Sequence, residues 1–366
     1  MKTAIIVGGG MGGVTAAYLL SKKGWKVRVF EANNFLGGGC RTLNCGIHPY
    51  TIGPRPIYTE HEEVFAYLSE FAKMEKFDLL LQTFVAEDDQ FYSYPIHEDD
   101  ISLMPDKVAI DNELNNRSKI HENMNFEEYY TASLGNILYE KFINNYSKKM
   151  WGVKSNTELT DFNWSLKGAP LKKGSRIVRE GEIIHAHPIN RDGYNNYFDM
   201  IYDMAEVNLN ILIEDFDAVN KKIKVKDEWI QGDILISTAS VDSLMNYRFG
   251  ELRYIGRKFI PLVLPVSQVI PDPITYLYYA GNEPHTRIVE YKKLYRYDSP
   301  FTLIGIEIPS FGNKMYPYPI KSEREKAKQY LDNIPENVFS VGRLGRYKYD
   351  NIGEVIFQVK DIVENL

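Results

Sequence analysis

A glycine-rich turn near the amino terminus has the residues and spacing of a phosphate-binding site. Residues 8–13 read GGGMGG, in which Gly8 permits a tight turn and Gly10 lets a pyrophosphate approach the backbone. Gly13 lets the next helix pack closely, and the helix amino terminus offers unpaired N–H groups to the pyrophosphate. Glu31 follows where an acid can accept hydrogen bonds from a ribose diol. These residues predict a dinucleotide-binding site.

A second group of glycines indicates which dinucleotide is bound. Gly37 and Gly38 lie shortly after Glu31, and Thr42 follows them. This pattern resembles the second fingerprint of flavoproteins that hold FAD, the amine oxidase and UDP-galactopyranose mutase group. An enzyme that binds NAD does not need a second place at which the backbone lies close to the dinucleotide. We therefore expect FAD, and the alternative interpretation is an ordinary glycine-rich loop.

A helix and several strands must position these residues. Residues 4–7 form an apolar run that predicts a buried parallel strand, and residues 26–30 alternate as a second strand after the helix. Residues 233–238 and 338–343 have the pattern of late strands that return to this sheet, and residues 352–363 that of a closing helix. The predicted fold class is therefore α/β, with a discontinuous Rossmann-like FAD-binding domain.

Two further units interrupt this predicted domain. Residues 100–165 place apolar side chains at helical spacing, and residues 250–310 hold short strands with turns, which is typical of an antiparallel sheet. We expect an FAD-binding domain of residues 1–78, 188–245 and 330–366, a small helical substrate-binding domain of residues 96–165, and an antiparallel β-sheet domain of residues 79–95, 166–187 and 246–329.

Composition and charge restrict the partners and the location. Of 366 residues, 44% are hydrophobic and 25% charged, and the net charge of −6 argues against nucleic acid or an acidic membrane as partner. Cys40 and Cys45 imply no disulfide framework, and no Cys/His spacing indicates a metal site. His185 and His187 share one side of a predicted strand and are interpreted as surface residues. With no signal peptide or membrane span indicated, we expect a soluble cytoplasmic protein.

Five further segments carry a resemblance to one flavoprotein family. They occur in the order of the family and, with the amino-terminal glycines, extend over nearly the whole chain. The segments are residues 146–152 (YSKKMWG), 247–250 (YRFG), 285–290 (HTRIVE), 316–319 (YPYP) and 342–349 (GRLGRYKY). On these residues the chain resembles the UDP-galactopyranose mutase family.

The resemblance implies a reaction and its partners. Enzymes of this family interconvert the pyranose and furanose forms of a nucleotide sugar without net redox change, and N5 of the reduced FAD attacks the anomeric carbon. The implied partners are a nucleotide-sugar substrate, NAD(P)H or a reductase as electron source, and a second copy of the chain in a dimer. The furanose product would supply a surface polysaccharide such as capsule or lipopolysaccharide. The chain has no G-x-S-x-G or H-E-x-x-H motif, which agrees with a flavin nucleophile.

The resemblance also assigns roles to individual residues. Arg287 matches the arginine that clamps the diphosphate, and the alternative for it is a surface ion pair. The other residues to which the resemblance gives a catalytic place are Arg55 and Lys172. Those placed around the nucleotide and its phosphates are Phe142, Tyr146, Trp151, Tyr318 and Tyr349, whose aromatic rings could alternatively form core. The resemblance also assigns Arg343, Asp350 and Asn351 to the FAD site, together with the glycines, Glu31 and Thr42.

The departures from the family pattern cluster around the sugar and phosphates. Arg55 and Tyr58 replace two histidines, Ile255 replaces an arginine although Arg257 is close, and Lys172 aligns only loosely with a second arginine. We interpret these changes as a preference for a different sugar, such as that of dTDP-fucose or UDP-N-acetylgalactosamine. The alternatives are an oxidoreductase of the flavin amine oxidase type and a flavin-binding paralogue without catalysis.

Overall fold

A parallel sheet carries the amino-terminal glycine turn. In the computed structural model, which describes residues 1–162 and 171–366, the strand Thr3–Val7 lies in the middle of this sheet and residues 4–7 are buried. A run of Ala, Ile and Val suits a central parallel strand because both of its faces are covered. The order across the sheet is Glu206–Asn208, Lys26–Phe30, Thr3–Val7, Ile234–Ser237 and Val338–Ser340.

Helices from both ends of the chain cover one face of this sheet. Met11–Lys22 packs against Ile352–Glu364, and both contribute to one apolar core with Ala4 and Ile6. The other face, with Ile5, is covered by Lys321–Leu331 and by an antiparallel meander. The meander strands are Asp215–Asp217, Lys222–Val225 and Glu228–Gln231. The predicted α/β class with a Rossmann-like sheet is confirmed.

A second sheet has seven strands. Its neighbouring strands are antiparallel except that Leu81–Val85 runs parallel to Tyr276–Tyr279. Its strand order is Tyr316–Pro317, Tyr254–Leu264, Thr302–Ser310, Arg287–Glu290, Tyr276–Tyr279, Leu81–Val85 and Gln90–Tyr94.

A helical segment packs against this second sheet through a shared apolar core, to which both contribute buried tyrosines and leucines. Its α-helices are Lys107–Asn115, Phe126–Leu134, Asn136–Tyr139 and Asn145–Trp151. Its other helical turns are Glu98–Leu103, Glu140–Asn144 and Asn156–Glu158.

Short elements connect these layers. The small sheets are Leu43–Cys45 with His48–Tyr50, and Ile57–Thr59 with Ile184–Pro188 and Met74–Lys76. The helices are Glu62–Ser69, Asn195–Asp199, Val241–Leu244, Tyr291–Tyr295 and Gly342–Gly345, with the 3₁₀ turns Gly38–Cys40 and Met200–Asp203. None of the helices within the described residues has the length and apolar character needed to cross a membrane.

Two segments lie elsewhere than the sequence analysis places them. Ile184–Pro188 pairs with Ile57–Thr59 and Met74–Lys76, so residues 184–187 do not join the seven-stranded sheet. The helix Lys321–Leu331 was assigned largely to the antiparallel β-sheet domain, but it buries Ala327 and Tyr330 against the parallel sheet. Apolar periodicity shows that a face is buried, but it does not identify the neighbour that buries it. The proposed boundary at residues 165–166 lies outside the described residues.

Candidate active site

The glycine turn follows the strand Thr3–Val7 and leads into the helix Met11–Lys22. Gly8 has a φ of +91°, which glycine adopts without the strain that a Cβ would cause. A Cβ on Gly13 would lie 1.9 Å from the carbonyl oxygen of Gly8, so the helix packs on the turn only with glycine there. These two glycines therefore fix the position of the helix amino terminus.

Gly10 and Gly38 leave an open space at this amino terminus. Among the described residues, a Cβ on Gly10 would meet no atom within 4 Å, and one on Gly38 would meet only the Cα of Gly10, at 3.6 Å. The first N–H groups of a helix have no partner within the helix and carry a partial positive charge. A pyrophosphate therefore fits beside these two bare backbones.

Glu31 is buried next to the turn, directly after the strand Lys26–Phe30. Its Oε2 accepts a hydrogen bond from the backbone N of Gly9 at 2.6 Å. Its Oε1 accepts from the backbone N and the Nδ2 of Asn33, at 2.8 and 2.6 Å. Because an ionised carboxylate accepts about four hydrogen bonds, Glu31 retains an acceptor position for a ribose hydroxyl.

The second glycine loop is tied to the first. Gly37, with a φ of +107°, donates from its backbone N to the carbonyl oxygen of Gly9 at 2.7 Å. A Cβ on Gly37 would lie 2.5 Å from the ring of Phe198. Thr42 is buried, with its hydroxyl 3.0 Å from that of Tyr295. Thr42 therefore anchors the loop, and its hydroxyl is already engaged within the protein.

A cavity of about 440 Å³ lies where this loop region meets the seven-stranded sheet. It is lined by the loop of residues 54–58, by strands of the sheet and by residues 343–354. Five residues that the sequence analysis assigns to the site come together in its wall. They are Arg55, Arg287, Arg343, Tyr349 and Asn351.

A narrow pocket adjoins this cavity. The two spaces share Tyr94 and Tyr278, and the narrow one is also lined by Phe142 and Tyr146. Its free volume is only about 20 Å³, so a planar base can enter only if these rings move apart. Their flat apolar faces suit such a base.

Four arginines surround the phenol of Tyr316 in the large cavity. The guanidinium carbons of Arg343 and Arg257 lie 4.5 and 4.8 Å from its ring centroid, and Tyr349 stacks on it at 5.0 Å. Burial raises the pKa of Tyr316, but the four positive charges outweigh burial and lower it to about 8. The four arginines, in order of effect, are Arg343, Arg257, Arg55 and Arg287.

One carboxylate is buried among these arginines. Nε and Nη2 of Arg287 donate to Oε1 and Oε2 of Glu307 at 2.9 and 2.7 Å. Burial raises the pKa of Glu307, but Arg287, together with Arg257 and Arg55, holds it below its ordinary value. Glu307 is therefore ionised, and four guanidinium groups around one carboxylate leave an excess of positive charge. Such a site attracts an anion with more than one negative charge.

Arg55 is held beside the second glycine loop. Its Nε donates to the carbonyl oxygen of Gly39 at 3.0 Å, and its Nη2 to that of Ile52 at 2.5 Å. The guanidinium is thus fixed by backbone carbonyls at the junction of the loop and the cavity. A fixed cation there stabilises negative charge on a bound group.

Several predicted site residues lie outside the cavity wall. The ammonium of Lys172 donates to the carbonyl of Ile177, and Lys172 pairs through its backbone with His97. Trp151 and Tyr318 are buried in the apolar core, with ring centroids 6.4 Å apart. The structure therefore does not bring these three residues to the site that the sequence analysis gave them.

Asp350 and Asn351 flank the start of the closing helix. The buried carboxylate of Asp350 lies 3.4 Å from Nη1 of Arg346 and 3.5 Å from Nζ of Lys348. Asn351 caps the helix, since its Oδ1 accepts from the backbone N of Glu354 at 3.0 Å. The carbonyl of Asp350 accepts both Nε and Nη2 of Arg343. These residues therefore orient Arg343 and the helix end.

Sequence reasoning missed Tyr316 in the cavity wall and Arg257 next to it, whose guanidinium carbon lies 4.8 Å from the Tyr316 ring centroid. Tyr316 is in a segment that the resemblance singled out, but Tyr318 was chosen over it, and Arg257 was noted only as a neighbour of Ile255. Alternation offered a signal for Arg257, because residues two apart on a strand share a face. The pairing of Ile255 with Tyr316, which brings the two segments together, is visible only in the structure.

The expectation that His185 and His187 are surface residues is wrong, since they are only 6% and 2% exposed. Their strand, Ile184–Pro188, is the middle one of a three-stranded sheet, and aromatic rings pack against both side chains, Tyr58 on His185 and Tyr295 on His187. Within residues 1–162 and 171–366, no group of three or more His, Cys, Asp and Glu side chains could hold a metal ion.

The lowered pKa of Tyr316 predicts a pH dependence of anion binding. Below pH 8 the phenol is neutral, and above it a phenolate forms that offsets one of the four positive charges. We expect inorganic pyrophosphate to bind the protein several-fold more weakly at pH 9 than at pH 7. Tyr316→Phe should remove this difference and the tyrosinate absorbance that develops near pH 8. An unchanged pH dependence in Tyr316→Phe would assign the titration to another group.

Comparisons with known proteins agree with this geometry. A family model described as UDP-galactopyranose mutase matches residues 141–349, which is more than half of the chain. A model of the NAD(P)-binding Rossmann-like domain matches residues 6–71. The first match includes Arg287, Tyr316, Arg343 and Tyr349 of the cavity wall, and the second includes the glycine turn and Arg55.

Individual relatives extend over nearly the whole chain. The dTDP-fucopyranose mutase of Escherichia coli is 23% identical over 95% of this chain and 94% of its own length. The probable UDP-galactopyranose mutase of Klebsiella pneumoniae is 24% identical over 95% of this chain and 90% of its own length. A crystal structure of reduced UDP-galactopyranose mutase superposes with a TM-score of 0.82 at 18% identity, covering 100% of this chain and 93% of that one.

Proposed function

The chain belongs to the UDP-galactopyranose mutase family, and from this premise we propose that it interconverts the pyranose and furanose forms of a nucleoside-diphosphate sugar with the aid of FAD. It is an isomerase and a flavoprotein. The observation that carries the proposal is the cavity lined by Arg55, Arg287, Arg343 and Tyr316, with Arg257 next to the Tyr316 ring and Arg55 bonded to the second glycine loop. This arrangement offers one place for a dinucleotide and, next to it, one for a diphosphate.

FAD is the cofactor that the two glycine loops favour. The bare backbones of Gly10 and Gly38 leave room for a pyrophosphate, and Glu31 retains an acceptor for a ribose hydroxyl. When bound and reduced, FAD would supply the nucleophile for the anomeric carbon of the sugar. Arg55, held by the carbonyls of Gly39 and Ile52, would stabilise negative charge at the edge of the cofactor site.

The chain itself would hold and neutralise the nucleotide. A guanidinium can donate two parallel hydrogen bonds to phosphate oxygens. Arg287 uses Nε and Nη2 for Glu307, so its other N–H donors remain for a phosphate. Arg257 and Arg343 would add positive charge where the diphosphate leaves the anomeric carbon. Tyr349, stacked in the same cluster, would hydrogen-bond a phosphate oxygen.

The nucleotide base would enter the narrow pocket. Phe142 and Tyr146 line it, and it shares Tyr94 and Tyr278 with the cavity, so base and diphosphate would occupy neighbouring spaces. The sugar would then lie toward Arg55 and the loop beside the cofactor. Trp151 and Tyr318 remain proposed neighbours of the nucleotide, which they could approach only from the core.

The sugar itself is proposed by analogy with relatives. Of the two relatives that match over 95% of this chain, one is named for dTDP-fucopyranose and the other for UDP-galactopyranose. UDP-N-acetylgalactosamine is a third candidate. We propose that a furanose product serves a surface polysaccharide, that NAD(P)H or a reductase keeps the flavin reduced, and that the enzyme acts in the cytoplasm as a dimer.

A substrate panel tests the proposed activity. The purified protein is chemically reduced under nitrogen and incubated with UDP-galactopyranose, UDP-N-acetylgalactosamine, dTDP-fucopyranose and GDP-sugars. We expect anion-exchange chromatography to separate a new isomer of equal mass, formed only with reduced flavin, from one of them. No new isomer from any sugar, together with steady oxygen consumption when the oxidised protein is given an amine or alkene that reduces its flavin, would refute the mutase in favour of an oxidoreductase.

A further inference from the structure

His185 is a buried side chain in the cavity wall with an unsatisfied ring nitrogen. It is 6% exposed, and its Nε2 has no hydrogen-bond partner among the described residues. Its strand pairs with Ile57–Thr59, so that His185 lies directly opposite Tyr58 with the two rings edge to face at 5.3 Å. Both side chains line the large cavity. Since buried polar atoms in proteins nearly always find a partner, a ligand in the cavity is the natural partner for Nε2.

Two tyrosines in the cavity wall, Tyr58 and Tyr276, connect His185 to Arg287. The hydroxyl of Tyr58 lies 3.1 Å from that of Tyr276, and the guanidinium of Arg287 lies over the ring of Tyr276 at 5.3 Å. A sugar attached to a diphosphate at Arg287 would reach His185 if it followed these tyrosines along the wall. Phe142 and Tyr146 line the adjoining narrow pocket, which shares Tyr94 and Tyr278 with this cavity.

The charge state of His185 selects the kind of group that it can bind. Burial, Arg179 and Lys172 lower the pKa of His185 to about 4, and only Asp78 acts in the opposite direction. The imidazole is thus neutral at pH 7, with one nitrogen as donor and the other as acceptor. A neutral imidazole is a poor partner for a phosphate but a good one for a hydroxyl, which also donates and accepts.

We propose that Nε2 of His185 hydrogen-bonds a hydroxyl of the sugar ring and thereby determines which sugar the enzyme accepts. This inference rests on the proposed function, because it requires a nucleotide sugar in the cavity. His185 is a specificity-determining residue in this view and takes no part in bond making. The relevant hydroxyl is one that does not itself react, at C2, C3 or C6.

The test compares His185→Phe with wild type on sugars that have or lack one hydroxyl. The probes are the panel sugar nucleotide that wild type converts fastest and its 2-deoxy, 3-deoxy and, where it bears that hydroxyl, 6-deoxy analogues. We expect His185→Phe to lower kcat/KM for the parent sugar about 10- to 100-fold, since it leaves a hydroxyl unpaired. For one deoxy analogue, wild type and variant should have the same kcat/KM. FAD content and the Kd of the free nucleoside diphosphate should not change.

Two further variants separate recognition from a merely structural effect. His185→Gln, whose amide reaches the place of Nε2, should restore most of the kcat/KM for the parent sugar. His187→Gln changes a buried histidine on the same strand whose Nδ1 is engaged by the carbonyl of Pro188 at 2.7 Å, and it should behave as wild type. An equal loss on the parent and every deoxy analogue, or no loss at all, would overturn the role of His185. A wild type that converts no panel sugar would instead overturn the proposed function, and this inference with it.

Discussion

Substitution of Gly10 by valine is expected to yield a folded protein that binds no FAD and has no mutase activity. The backbone of Gly10 is extended, with φ −74° and ψ −172°, and a Cβ there would meet no described atom within 4 Å, so the protein without cofactor tolerates the side chain. The added methyl groups would fill the space between Gly10 and Gly38 that a pyrophosphate needs. Flavin absorbance of the purified protein, circular dichroism and thermal unfolding of the cofactor-free form measure these outcomes.

Two other glycine substitutions serve as comparisons. Gly13→Ala places its Cβ 1.9 Å from the backbone oxygen of Gly8, so it should destabilise the cofactor-free fold as well as abolish FAD binding. Gly312→Val introduces the same side chain as Gly10→Val at an exposed loop position and should retain flavin at the wild-type level. A Gly10→Val protein with a full complement of FAD would show that the pyrophosphate does not lie at this turn.

The glycine turn could be predicted because its determinants are local. Strand, turn, helix and acid lie within one short unit, and backbone sterics alone assign Gly8 and Gly13 their places. The structure agrees, with a positive φ at Gly8 and contact between Gly13 and the carbonyl of Gly8. The returning strands were also predictable, since the apolar residues 234–236 at the start of Ile234–Ser237 suit a buried parallel strand.

The cavity wall was less predictable because it depends on strand register and on where strands end. Tyr316 and Tyr318 are two residues apart, so alternation places them alike, yet the strand ends at Pro317 and only Tyr316 reaches the cavity. The partner of Arg287 is Glu307, which its neighbour strand places directly opposite. The assignment of Lys172 to the site was also not met, because the conformation of its loop directs the ammonium to the carbonyl of Ile177. No local pattern in the sequence encodes these pairings.

Replacement of Arg287 by lysine is expected to lower kcat/KM about 10²- to 10³-fold while the protein stays folded and binds FAD. Arginine has five N–H donors in a rigid fork, two of which engage Glu307, so others remain for a phosphate. Lysine keeps the positive charge that Glu307 needs, but its single ammonium cannot span the carboxylate and the leaving diphosphate together. Initial rates on the panel sugar that wild type converts, together with flavin content, measure the effect.

The variants of Arg287 must separate an effect on catalysis from an effect on stability, because we expect the residue to contribute to both. Arg287→Ala leaves the carboxylate of Glu307, 3% exposed, without its partner, which should cost about 3–5 kcal/mol of folding free energy. Adding Glu307→Gln to Arg287→Ala should recover much of the melting temperature but none of the activity, since the diphosphate still lacks its clamp. Arg28→Lys is the matched control: Arg28 makes the same two-bond contact with Glu206 at 2.9 and 2.7 Å, but at the surface, and should leave turnover unchanged. Wild-type turnover in Arg287→Lys would mean that Arg287 acts through Glu307 alone, and the diphosphate would then have to be held by Arg257 and Arg343.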